Sequence, residues 1–81
     1  MPNVDYKNGY RFYFYSHEPN EPAHVHVDKG GNSAKFWLQN LDLARNYGFN
    51  PKELSEILSI IKTNKDNYME AWNGYFGTSG R

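Results

Sequence analysis

Two glycines, Gly30 and Gly31, separate two runs of alternating character, His24-Val25-His26-Val27-Asp28 before them and Ser33-Ala34-Lys35-Phe36-Trp37 after. Side chains alternate across a strand, so each run has an apolar face and a polar face, and a Gly-Gly pair supplies the positive φ angles of a two-residue hairpin turn. With the glycines as the turn, Lys29 faces Asn32. The pairing then runs back as Asp28 with Ser33, Val27 with Ala34, His26 with Lys35, Val25 with Phe36 and His24 with Trp37. Apolar meets apolar on the inner face. A slip of one residue would turn every side chain of one strand to the wrong side, so the pattern specifies this register strongly. It gathers His24, His26, Lys35 and Trp37 on the outer face.

Around this hairpin the chain divides readily. Asn8-Gly9 marks a turn after a polar start, and residues 10–15 read as a strand, with Tyr10, Phe12 and Phe14 on one face. Arg11, Tyr13 and Tyr15 form the other set, and Arg11 and Tyr13 join the outer face if this strand pairs alongside. Residues 16–22 form a loop by their two prolines and their polarity, placing His17 just ahead of the histidine strand. Residues 41–47 are expected to form a short helix closed by Gly48. Asn50-Pro51-Lys52-Glu53 opens the main helix: Asn50 caps, Pro51 fits the first helical position, and Glu53 bonds back to the cap. Beyond it Ile57, Leu58, Ile61, Tyr68, Met69 and Trp72 fall on one stripe, interrupted by the weak helix formers Thr63-Asn64. Gly77 onward reads as a frayed tail. The whole, residues 1–81, is expected to be a single small α+β domain. It would have a three-stranded antiparallel sheet with C-terminal helices packed on one face, the other face remaining open.

A chain of 81 residues builds one core, which contributes roughly 3 to 5 kcal/mol at this size. With no cysteine, neither a disulfide nor a thiolate zinc site can supplement it. Aromatic packing can, since there are seven Tyr, five Phe and two Trp. Nine basic and nine acidic residues cancel, which excludes a general polyanion binder and confines any phosphate contact to a local patch. The first residues show no basic region followed by an apolar run, and no apolar stretch approaches the ~20 residues that span a bilayer. The expectation is a soluble cytoplasmic protein without membrane association.

The Pro22-Ala23-His24-Val25-His26-Val27 stretch, preceded by the Phe-Tyr-Phe-Tyr run and followed by Ala34-Lys35-Phe36-Trp37-Leu38, resembles a small prokaryotic family catalogued as domain of unknown function 4160. The resemblance extends to Gly48-Phe49 and Ala71-Trp72. Ala23 departs from the family's usual Pro-Pro-His. The resemblance implies a genomic setting in which members lie beside another small protein, some labelled as toxin–antitoxin components. It carries over no catalytic residue.

The outer face admits three chemistries. Two imidazoles, with His17, Glu18 or Glu21 from the loop, could assemble a three-ligand metal site, but a lysine opposite His26 would repel a divalent cation, so neither metal nor cofactor is expected. Arg11, His17, His24, His26 and Lys35 could instead converge on a phosphate, with Trp37 offering a stacking surface for a base. The same histidine pair beside a lysine is what metal-free phosphodiester cleavage needs, one ring as base and one as acid. The third reading makes the histidines ordinary hydrogen-bonded strand residues. The function expected from these together is a binding module in a two-gene toxin–antitoxin-like system. Its exposed sheet face would bind a partner encoded by a neighbouring gene, or a phosphate-containing ligand such as RNA. The alternative is a histidine-dependent ribonuclease or phosphodiesterase. Aromatic residues on an open face also lead to the expectation of a homodimer.

Overall fold

Asn8 and Gly9 both adopt positive φ, 55° and 84°, and close a hairpin between β1 (Asn3–Lys7) and β2 (Tyr10–Tyr13). Gly30 and Gly31, at 57° and 91°, do the same between β3 (His24–Lys29) and β4 (Asn32–Trp37). Positive φ at both central positions is what a type I′ turn requires. A fifth strand, β5 (Leu43–Tyr47), completes an antiparallel meander in the order β1-β2-β3-β4-β5. The structure is a computed structural model that describes residues 3–14 and 21–76.

The β3–β4 register is the one expected, from Lys29 with Asn32 through to His24 with Trp37. The expected three-stranded sheet, however, has five strands. The polar start is β1, whose Val4 packs against the core. Residues 41–47 hold a strand where a helix was expected. Leu, Ala and Arg favour helices, but the free edge of β4 takes this segment up, pairing Ser33 with Tyr47 and Lys35 with Arg45; tertiary pairing overrides a weak local preference. The return from β5 is set locally. Asn46 Nδ2 donates to the Phe49 carbonyl and Asn46 Oδ1 accepts from the Phe49 N–H, while Gly48 sits at φ 104°.

The helices follow as expected. Asn50 Oδ1 accepts from the Glu53 N–H at 2.8 Å and Glu53 Oε1 accepts from the Asn50 N–H at 3.0 Å, a complete capping box at the head of α1 (Pro51–Thr63). Asn64 ends that helix, its Nδ2 donating to the Ile60 carbonyl, and its own carbonyl accepts from the Tyr68 N–H in α2 (Lys65–Phe76). Both helices cover the inner sheet face. Tyr10, Phe12, Phe14, Val25, Val27, Phe36 and Leu38 meet Ile57, Ile61, Tyr68 and Trp72 there.

Two buried tyrosines fasten helices to strands. Tyr10 of β2 donates to Glu56 Oε1 of α1 at 2.7 Å, and Tyr68 of α2 donates to Asp5 Oδ2 of β1 at 2.8 Å. Burial raises the pKa of Tyr10 to about 12, and the Glu56 hydrogen bond with the negative charges of Glu56 and Glu53 adds to it. Tyr68 is pushed up further by burial first, then by its bond to Asp5. No helix among the described residues is long and apolar enough to cross a membrane.

Candidate functional site

Helices on the inner face leave the outer face to the polar half of each strand. Four consecutive strands contribute one side chain each to a single transverse row, Tyr13, His26, Lys35 and Arg45. Strands lie about 4.8 Å apart, so the row spans about 14 Å. A second row alongside runs Tyr6, Arg11, Asp28, Ser33 and Tyr47. Between the rows, toward β4 and β5, lies a concavity of about 290 Å³ lined by Tyr13, Glu21, His26, Ser33, Ala34, Lys35, Arg45 and Tyr47.

Its inner wall is a stack. The Tyr13 ring, almost wholly buried, lies parallel to His26 with centroids 5.4 Å apart and an interplanar angle of 22°. The Arg11 guanidinium sits 4.5 Å from the Tyr13 centroid, its Nη2 3.7 Å from Asp28 Oδ2. Tyr13 Oη donates to the other Asp28 oxygen at 2.9 Å. Arg11 is thereby held against Tyr13 and Asp28 and does not line the concavity.

The other wall carries the cations. Lys35 donates from Nζ to Glu21 Oε1 at 2.5 Å and lies 4.6 Å from the Trp37 ring centroid. Its ammonium is therefore turned toward Glu21 and Trp37. On β5, Arg45 donates from Nη1 to the Tyr47 hydroxyl oxygen at 3.2 Å.

His24 belongs to a different environment. It is fully buried, with its ring 4.9 Å from Trp72, 5.6 Å from Trp37 and 5.1 Å from His26, the last two nearly perpendicular to it. A hydrogen bond of 2.8 Å joins its Nδ1 to the Pro22 carbonyl, so Nδ1 carries the proton. The expectation of two histidines side by side on an open face holds for backbone register and fails for access. Trp72 of α2 packs against the first of them and helps bury it.

The residues singled out from sequence thus separate. His26 and Lys35 line the concavity, Trp37 stands behind Lys35, Arg11 supports Tyr13, His24 is part of the packed interior, and His17 lies outside the described residues. So do Tyr15 and Glu18. Of the aromatics expected to lie exposed together, Tyr13, Tyr15 and Trp37, Tyr13 is buried and Trp37 half-buried, and among the described residues the exposed aromatics are Tyr6, Tyr47 and Tyr75. Arg45, Tyr47 and Ser33 were missed. A helix assignment for 41–47 hid the first two, although Arg45 and Tyr47 stand two apart, the spacing that shares a strand face. Among the described residues no three His, Asp or Glu side chains converge as a metal-binding set.

An antiparallel meander backed by two helices, with a concavity on its uncovered face, defines a small two-layer α+β fold. Within that class the chain belongs to the family described as a domain of unknown function, DUF4160, whose model matches residues 9–73, from the first hairpin turn into α2. No curated protein and no solved structure matches it.

Proposed function

We propose that the protein is a small binding module whose outer sheet face takes a phosphate-bearing ligand in the concavity between β3, β4 and β5. The observation that carries this reading is the convergence there of Lys35, Arg45 and His26 with the hydroxyls of Ser33 and Tyr47. Guanidinium and ammonium groups supply charge-assisted hydrogen bonds to phosphate oxygens. The volume, about 290 Å³, lies at the small end of ligand sites, about 300–1,000 Å³, and suits a phosphate with one modest substituent.

The geometry favours binding over a histidine-dependent ribonuclease. Cleavage by two imidazoles needs both rings at the phosphate, and His24 is sealed between Trp37 and Trp72. A neighbour-encoded protein partner, or a second copy of the chain in a homodimer, would find its apolar anchors at Leu43 and Tyr47, both exposed on the edge strand β5. On this proposal the partner contact and the phosphate site share Tyr47. The setting is the cytoplasm.

Backbone amide NMR during a titration with inorganic phosphate tests the reading. Ser33, Lys35, Arg45 and Tyr47 should shift together and saturate, and the response should weaken with added chloride and vanish in Arg45→Met. Shifts scattered over the surface, or none at all, refute it.

A further inference from the structure

A second concavity, of about 220 Å³, opens on the same face at the turn end of the β3–β4 hairpin, lined by Tyr13, Asp28, Gly31, Asn32 and Ser33. We infer that it is a subsite for the hydroxyls of a sugar, so that the ligand of the outer face is a sugar phosphate. Its phosphate lies in the first concavity and its hydroxyls meet Asp28, Asn32 and Ser33 in the second. The inference rests on the phosphate-binding reading and names the substituent that the phosphate carries.

The two concavities adjoin, since Tyr13 and Ser33 line both. Asp28 and Ser33 face each other two residues along their strands from the facing pair His26 and Lys35, a step of about 7 Å. A five-carbon sugar bearing a phosphate spans such a step, and one ligand reaches both. Gly31 keeps the rim open, because a Cβ there would meet nothing within 4 Å.

Charge and hydrogen-bonding capacity set the ligand class. Among the described lining residues of the second concavity Asp28 alone is charged, and Arg11 Nη2 lies 3.7 Å from its Oδ2, so the pair is close to neutral. A cation or an anion gains little there. Asp28 Oδ1 accepts from Tyr13 Oη at 2.9 Å, whereas the 3.7 Å contact at Oδ2 is longer than a hydrogen bond. A carboxylate accepts about four hydrogen bonds, so Asp28 has acceptor capacity to spare. The Asn32 amide and the Ser33 hydroxyl make no hydrogen bond to another described residue, and between them they offer donors and acceptors. Uncharged groups that both donate and accept are hydroxyls, and a carboxylate is an established partner for those of a ribose. A nucleobase would need an open aromatic face; the ring among these lining residues, Tyr13, is 3% exposed.

Amide NMR titrations with inorganic phosphate and with ribose 5-phosphate test the inference. They are run on the wild-type chain, on Asn32→Ala, and on Asp28→Asn, which keeps the side-chain shape and an oxygen for Tyr13. Thermal unfolding of each variant checks that the fold persists. Ribose 5-phosphate should bind the wild-type chain about tenfold more tightly than inorganic phosphate, the yield of one or two added hydrogen bonds. The amides of Asp28, Gly31 and Asn32 should shift with the sugar phosphate and stay silent with phosphate alone. In the variants the readout is the ratio of the two affinities, in which a general effect of charge cancels, and it should fall about fivefold in each. A ratio near one in the wild type, or a higher ratio that both variants leave unchanged, would overturn the inference while the phosphate site stands. Failure of the wild-type chain to bind either probe would overturn both readings.

Discussion

His24 is the residue whose truncation separates a structural from a functional reading of the His-x-His pair. Removing a phenyl ring from a core costs about 3 to 5 kcal/mol; imidazole is smaller, so His24→Ala should cost about 2 to 4 kcal/mol. The lost hydrogen bond to the Pro22 carbonyl falls within that range and contributes about 1 kcal/mol of it. A domain of this size has roughly 3 to 5 kcal/mol in hand, so the variant should be close to unfolded at 25 °C. With a urea dependence of about 1 kcal/mol per molar, the midpoint should fall by about 2 M or more. Tryptophan fluorescence is the natural readout, because Trp37 and Trp72 both abut His24. His24→Phe, which keeps a ring between the tryptophans, should recover most of the loss. Arg45→Ala, exposed on β5, should change stability by no more than about 0.5 kcal/mol while abolishing phosphate binding. A His24→Ala protein with the wild-type midpoint and no phosphate binding would refute this reasoning, since it would place His24 in the site and not in the interior.

Four further outcomes are expected. Gly48→Ala should destabilise by about 1 to 3 kcal/mol, because φ 104° strains any side chain and a Cβ there would overlap Asn32. Gly74→Ala, in α2 with open space around it, should stabilise by about 0.5 to 1 kcal/mol; paired urea melts check both. Tyr10 ionises at about 12 when folded against about 10 when unfolded, so the native state favours the neutral phenol. That stability is present below pH 10 and is lost as pH rises through 12, and Tyr10→Phe should flatten the fall in urea midpoint over this window. Sedimentation at high micromolar concentration should detect self-association that Leu43→Glu abolishes; a strict monomer would count against the homodimer.

The parts of this fold legible in the sequence are those specified by neighbouring residues. The Gly30-Gly31 turn set six cross-strand pairs through alternation alone, and Asn50-Pro51-Lys52-Glu53 marked a helix start because all the groups in a capping box lie within one turn. What escaped depended on distant partners. Residues 43–47 have helix-forming composition and become a strand through the edge of β4; with them Arg45 and Tyr47 moved from an imagined helix onto the site. Asn8-Gly9 held a usable signal for β1, since a type I′ turn implies a strand on each side, but the flanking Asp5 and Lys7 lack the apolar character of a buried strand. Burial of His24 was out of reach for another reason. It depends in part on Trp72, 48 positions later in the chain, whose ring lies 4.9 Å from that of His24.

The unbroken meander order has a consequence for how the chain comes off a ribosome. Every strand pairs with the one just before it, so sheet formation closes only short loops, the regime of fast and local folding. By the time Asn50 is synthesised, every described residue lining the outer-face concavity is already present, from Tyr13 to Tyr47. The helices that cover Phe12, Val25, Val27 and Phe36 come afterwards. Until they dock, the nascent sheet carries its polar outer face and its bare apolar face together, and anything bound to the first would favour the sheet's register while the second waits for cover.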